Sequence, residues 1–124
     1  MIFTGYYAKY KQYKDLGLEP VAISGVRPDF YEGLYYPNFA PRWSTFARWR
    51  TGIITNDGYT KEYISRLNTL DKEEIKKDFS EYISDNKHCI LLCYEKPYDF
   101  CHRHILAEWL GKLLNTDIQE YYVK

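Results

Sequence analysis

Between His88 and Cys93 the chain runs through Cys89, Ile90, Leu91 and Leu92 with no polar residue alternating among them. Such a run predicts a strand covered on both faces, the habit of parallel sheets. Pro20–Ser24 is a second short apolar, β-branched stretch bounded by turn residues, and Met1–Thr4 reads as a third strand. Helical spacing alternates with these. Tyr6–Leu16 interleaves aromatics with Lys and Gln and stops near Gly17, a residue suited to a helix end. Pro41–Arg50 opens a helix with Pro near its first turn. Asp57-Gly58 signals a turn, and from Thr60 the residues Tyr63, Ile64, Leu67 and Leu70 recur at helical intervals. Asp71 with Glu74 three positions on forms a capping pattern, ahead of Ile75, Phe79, Tyr82 and Ile83 on one stripe. Cys101–Leu114 is the last helix, and Ile118–Val123 returns as a closing strand. Gly25–Pro41 has no period and reads as a long ordered loop. Strand and helix in alternation predict an α/β fold: a single small layered domain over residues 1–124, with a short, mostly parallel sheet flanked by helices.

Phasing the last helix at 3.6 residues per turn separates its polar side chains. Leu106, Trp109, Leu110, Leu113 and Leu114 define an apolar arc. His102 falls inside it and Arg103 at its edge. His104 falls on the opposite side with Glu108 and Lys112, and is expected to face water.

Composition narrows the class. Of 124 residues, 45% are hydrophobic and 19% aromatic, with 14 Tyr, which suits a packed domain. Seventeen basic residues balance seventeen acidic ones, so any attraction to nucleic acid or membrane must be local. The N-terminal stretch lacks the apolar core of a signal peptide, and no run is long enough to span a bilayer, so a cytoplasmic protein without membrane contact is expected. Three cysteines, an odd number, then point to thiols or ligands rather than a disulfide framework.

The join between the His88–Cys93 strand and the last helix concentrates the chemistry. In open α/β sheets, ligands bind beyond the carboxyl ends of strands. Cys93, Tyr94 and Glu95 leave the strand there, while Cys101, His102 and Arg103 open a helix whose free N–H groups favour anions. Cys101 at a helix start beside His102 and Arg103 would have its thiol pKa lowered, which makes it one candidate nucleophile. Glu95 is an alternative base or nucleophile, with Arg103 holding a phosphate or carboxylate. Zinc held by Cys93, Cys101 and His102, with Glu95 or His88, is a further reading, although the spacing matches no standard zinc signature. A Cys93–Cys101 redox pair stays open as well. Against these stands the plainer reading of both cysteines and His102 as satisfied core residues. Arg103 at the edge of a buried arc requires an anionic partner: Glu95, Asp99 or a ligand.

Two further features bear on substrate. Arg42, Trp43, Arg48, Trp49 and Arg50 interleave cations with indoles, a combination suited to nucleotides or single-stranded nucleic acid. The competing reading is an amphipathic helix with core tryptophans and snorkelling arginines. Ser24, Gly25 and Arg27 follow the second strand at the same rim as Glu95, where a Ser-Gly turn and an Arg can bind phosphate or simply make a turn.

The segment from Leu91 to Leu110, LLCYEKPYDFCHRHILAEWL, closely resembles the signature of the DUF488 family of small bacterial and phage proteins. The resemblance extends to the Pro20–Ser24 strand, the Ala40-Pro41 pair and Tyr63. It implies a compact α/β domain in which Cys93, Glu95, Cys101, His102 and Arg103 match the family's motif, and it implies no particular reaction. From the residues themselves, the leading expectation is an enzyme, a hydrolase or transferase, acting on a nucleotide or nucleic-acid-related anionic substrate. Glu95, Cys101, His102 and Arg103 are its candidate catalytic residues, and Ser24, Arg27, Arg42 and Tyr94 would bind substrate. The alternatives are a non-catalytic nucleic-acid-binding module and a metal-binding domain.

Overall fold

The apolar run becomes the middle of the sheet. In the computed structural model, which describes residues 1–84 and 86–123, five strands lie in the order β3-β2-β4-β1-β5 and every pairing is parallel. They are β1 (Ile2–Tyr6), β2 (Glu19–Ala22), β3 (Leu34–Tyr35), β4 (Cys89–Cys93) and β5 (Gln119–Glu120). β4 pairs with β1 on one side (Ile2 opposite Cys89, Tyr6 opposite Cys93) and with β2 on the other (Glu19 opposite Cys89, Ala22 opposite Leu92). All of its residues are buried.

The lack of polar alternation follows from β4 serving two cores. Ile90 and Leu92 pack with Tyr7, Tyr10, Tyr13 and Leu18 beneath α1 (Tyr10–Asp15). Cys89 and Leu91 pack on the opposite face with Ile2, Val21 and Ile23. That face is closed by Tyr63 and Leu67 of α3 (Asn56–Leu67), Ile75 of α4 (Lys72–Asp78), and Leu106 and Leu110 of α6 (His102–Leu114). Each fully buried aliphatic side chain of β4 contributes about 1.5–3 kcal/mol through removal from water. α1 approaches β1 so closely that a Cβ on Gly5 would lie 2.7 Å from both Ile90 Cδ1 and the Tyr13 hydroxyl. Gly17, at φ +81°, ends that helix in a conformation that costs other residues steric strain.

Several elements differ from expectation. Asp57-Gly58 belongs to the first turn of α3, because Thr55 caps the helix by accepting from the Gly58 N–H at 3.1 Å. Asp71 caps α4 as its pattern predicts, accepting from the Glu73 and Glu74 amides. The stripe that follows is interrupted: α4 ends at Asp78, and a separate short helix, α5 (Glu81–Ser84), takes over. The break shifts the helical phase, so Phe79 and Tyr82 stay buried while Ile83 turns to the surface. Within the Gly25–Pro41 stretch, Leu34 and Tyr35 pair with Val21 and Ala22 as an edge strand, and Pro37–Phe39 makes a 3-10 turn. Two residues are too few to leave a period in the sequence. The closing strand is likewise shorter than expected, pairing only Gln119 and Glu120 with Phe3 and Thr4. Among the described residues no helix is long and apolar enough to cross a membrane.

Candidate functional site

β2 and β4 end at the same rim, and α6 begins there, so the loops beyond both strands enclose a cavity of about 480 Å3. Three parts of the chain build it. Ser24 and Gly25 come from beyond β2, and Cys93, Tyr94, Glu95, Cys101 and His102 come from the β4–α6 join. The third wall is aromatic: Trp43, Phe46 and Trp49 of α2 (Trp43–Arg50), with Tyr59 and Phe100, and Arg50 is the cation among them.

At the floor, Cys93 and Cys101 are joined as a disulfide across the loop, with their Cα atoms 7.7 Å apart. This corrects the expectation of thiols without a disulfide. A strand end and the following helix start meet at a parallel-sheet rim, which brings the two sulfurs together despite the odd cysteine count. Cys89 is the remaining free thiol, buried at the other end of β4, where desolvation pushes its pKa up to about 12. Cys101 is the N-cap of α6, and its side chain makes no capping bond. Beside it, His102 is buried with Nε2 2.9 Å from the Ile23 carbonyl and Nδ1 3.8 Å from Cys101 Sγ. Desolvation lowers the His102 pKa to about 4; the Ile23 carbonyl opposes this, while the charges of Arg103 and His104 reinforce it. The neutral ring therefore donates from Nε2 to Ile23 and presents an unprotonated Nδ1 to Cys101. The Tyr63 ring meets it edge-on at 5.5 Å. One ligand-capable atom from each of Cys93, Cys101 and His102 lies within 4.8 Å of the others.

Glu95 enters the cavity next to this group, its Oε2 3.5 Å from Cys93 Sγ. Its negative charge, after burial, helps raise the Tyr59 phenol above its ordinary pKa. Tyr94 lines the cavity and packs edge-on against Tyr7 at 4.8 Å. Ser24 lines it too, but its hydroxyl is engaged, donating to the Val26 carbonyl and accepting from Tyr7, each at 2.6 Å.

The structure separates Arg103 from its motif neighbours. Its side chain is fully buried and outside the cavity lining. Nε and Nη2 each donate to the Glu120 carboxylate at 3.0 Å. Nη1 donates to the Glu95 backbone carbonyl at 2.7 Å and to Cys93 Sγ at 2.9 Å. The anionic partner is thus Glu120 of β5 rather than the Glu95 carboxylate, Asp99 or a ligand, which corrects the expected anion-binding role. Thr4 also donates to Glu120, at 2.7 Å. A signal for Glu120 existed: it lies two residues after the buried Ile118, and period two places both on one strand face.

His104 is only partly open to water. It is half-buried, and its Nε2 is buried with no hydrogen-bond partner among the described residues. Burial, and then the Arg103 charge, lower its pKa; Glu120 and the Pro97 and Asp99 carbonyls act the other way. Pro97 and Asp99 of the loop ahead of α6 reach His104 at the N-terminal end of the face that helical phasing assigned to solvent. Glu108 and Lys112 do form the exposed pair expected, at 3.3 Å.

Arg27 and Arg42 stay outside the cavity lining; Arg27 lies over the Tyr35 ring at 4.1 Å, and Arg42 precedes α2. His88 contacts the N-terminal amine at 2.9 Å, at the start of β4, and is therefore remote from Cys101. Within the Arg/Trp segment, Arg48 pairs with Glu62 and Trp49 donates to Asn56 at 2.7 Å while packing on Tyr59 and Phe100. Trp43 is exposed rather than a core residue. Of the Arg/Trp cluster, Trp43, Trp49 and Arg50 reach the cavity lining; Phe46 and Phe100, which also line it, were not among the sequence-based site residues, and their signal was nearness to the two tryptophans and to Cys101.

Residues 8–113 match the family model DUF488-N3a, described as the active DUF488-N3 subclade. No curated protein and no solved structure matches the chain.

Proposed function

Taking as premise that the chain belongs to the DUF488 family, we propose that it is an enzyme acting on a nucleotide or a nucleic-acid base, as a hydrolase or transferase. One observation carries this reading: the aromatic wall of α2 and the polar floor from Cys93 to His102 face each other across a single cavity. A volume of about 480 Å3 suits a base with its sugar. Trp43, Trp49 and Phe100 offer stacking surfaces, which bind bases without regard to sequence, and Arg50 offers a donor for phosphate. Glu95 is the open carboxylate beside the floor and takes the role of general acid and base. The description of the family model as an active subclade agrees with this reading.

The runner-up is a non-catalytic binding module using the same cavity, favoured by the exposed indole of Trp43 at its mouth. Nucleoside monophosphates and a short single-stranded oligonucleotide discriminate the two. The expected result is saturable quenching of tryptophan fluorescence, weakened in Trp49→Leu, with turnover abolished in Glu95→Gln while quenching persists. Binding without turnover of any nucleotide supports the module. Absence of quenching at low salt sinks both.

A further inference from the structure

We propose that, once its disulfide is reduced, the chain binds one divalent metal ion, zinc by ligand chemistry, through Cys93, Cys101 and His102, with a fourth position open to the cavity. The three ligand-capable atoms lie within 4.8 Å of one another, and all three residues are buried. Two thiolates and an imidazole form a borderline-soft donor set that suits zinc, and three protein ligands with one open position is the pattern of catalytic rather than structural zinc sites.

The surroundings are arranged as a metal site requires. A metal-ligating histidine ordinarily donates its other N–H to a carbonyl, which fixes the ring and its tautomer. His102 has that arrangement, with Nε2 2.9 Å from the Ile23 carbonyl and Nδ1 turned to Cys101. Arg103 reaches Cys93 Sγ at 2.9 Å, a hydrogen bond that a metal-bound thiolate retains. Cys101 caps α6 with its sulfur uncommitted to the helix amides. Backbone spacing agrees as well. The Cα separation of 7.7 Å is wider than the range of about 4.4–6.8 Å usual for disulfides. Two sulfurs sharing a tetrahedral ion at about 2.3 Å each stand about 3.8 Å apart, so a wider-set pair suits a shared ion. All three residues line the cavity, so the open position faces Glu95 and the aromatic wall.

Reduction by an external dithiol adds two electrons and two protons to the disulfide; the divalent ion then displaces both thiol protons. The proposal deepens the enzymatic reading by naming what the floor holds, and rests on that reading only for the use of the open position.

The test is titration of the reduced, chelator-stripped full chain with Co2+ and Zn2+. Expected are one equivalent bound, a thiolate-to-cobalt charge-transfer band in the near ultraviolet, and protection of two cysteines from alkylation. Cys101→Ser and His102→Gln should each weaken binding by at least about a hundredfold, and Cys89→Ala should bind as the unaltered chain does. Because buried substitutions can unfold the chain, alkylation protection in the unaltered protein is the independent readout. Substoichiometric binding, a cobalt spectrum without the charge-transfer band, or equal loss in Cys89→Ala overturns the proposal. Nucleotide quenching that persists after such a failure spares the enzymatic reading, and metal binding without any nucleotide effect overturns that reading alone.

Discussion

His102 and Arg103 are consecutive residues in the first turn of α6, both buried, and they serve opposite sides of it. His102 belongs to the cavity side, with Cys93, Cys101 and Glu95 around an aromatic-walled space. Arg103 belongs to the sheet side, where Glu120, Thr4 and the Glu95 carbonyl satisfy it. One side keeps polar atoms facing a space large enough for a ligand; the other has spent its polar atoms on each other. Four hydrogen bonds bind the Arg103 guanidinium to β5, to the β4–α6 loop and to Cys93. It therefore fixes the position of the groups that face the cavity. A motif read as one unit divides into a half that faces the cavity and a half that supports it. Volume alone would have misled: an open groove of about 750 Å3 beside α6, lined by His104, Lys112 and Asp117, is larger but has no aromatic wall and no thiol.

The division can be broken most forcefully at the buried ion pair. Removing one partner leaves the other charged and unpaired, so Arg103→Ala and Glu120→Ala should each cost about 3–5 kcal/mol in urea unfolding. The double variant Arg103→Met, Glu120→Leu should recover much of that loss. If Arg103→Ala instead left stability intact and abolished only ligand binding, the supporting role would be wrong.

The cavity side has its own signature in acid. His102 titrates at about 4 when folded against about 6.5 in an unfolded chain, so the unfolded state takes up protons first as pH falls. Its contribution is complete above pH about 6.5 and is lost on descending towards 4, on the order of 3 kcal/mol over that window. Unfolding midpoints measured from pH 7 to 4 should show this slope, and His102→Gln should flatten it. An unchanged slope in the variant would place the acid sensitivity elsewhere.

Arginines of α2 sharpen the comparison at a smaller scale. Arg50→Ala should weaken nucleotide binding about tenfold, the size of one charge-assisted hydrogen bond, with little change in unfolding midpoint. Arg48→Ala, whose pair with Glu62 is solvent-exposed, should leave both nearly unchanged. Equal effects from the two would remove the cavity's claim on Arg50.

Much of this architecture is written in local pattern. The run from His88 to Cys93 marks a strand covered on both faces, and β4 is that strand, between β2 and β1. The apolar phase of residues 102–114 marks the buried face of α6, and the join between these elements marks where Cys93, Glu95, Cys101 and His102 gather. These features are legible because periods of 2 and 3.6, and the placement of ligands beyond strand ends, depend on neighbours close in sequence. The side each polar group faces depends on the whole packing. Glu120 meets Arg103 only because β5 lies beside β1, and α2 faces Cys101 only because α3 packs against both α2 and α6. His104 is partly covered only because Pro97 and Asp99 of a loop without periodicity reach it. Pairings between distant segments are set by how helices and strand ends fill space around a common core, and that information is spread over the chain rather than held at any one position.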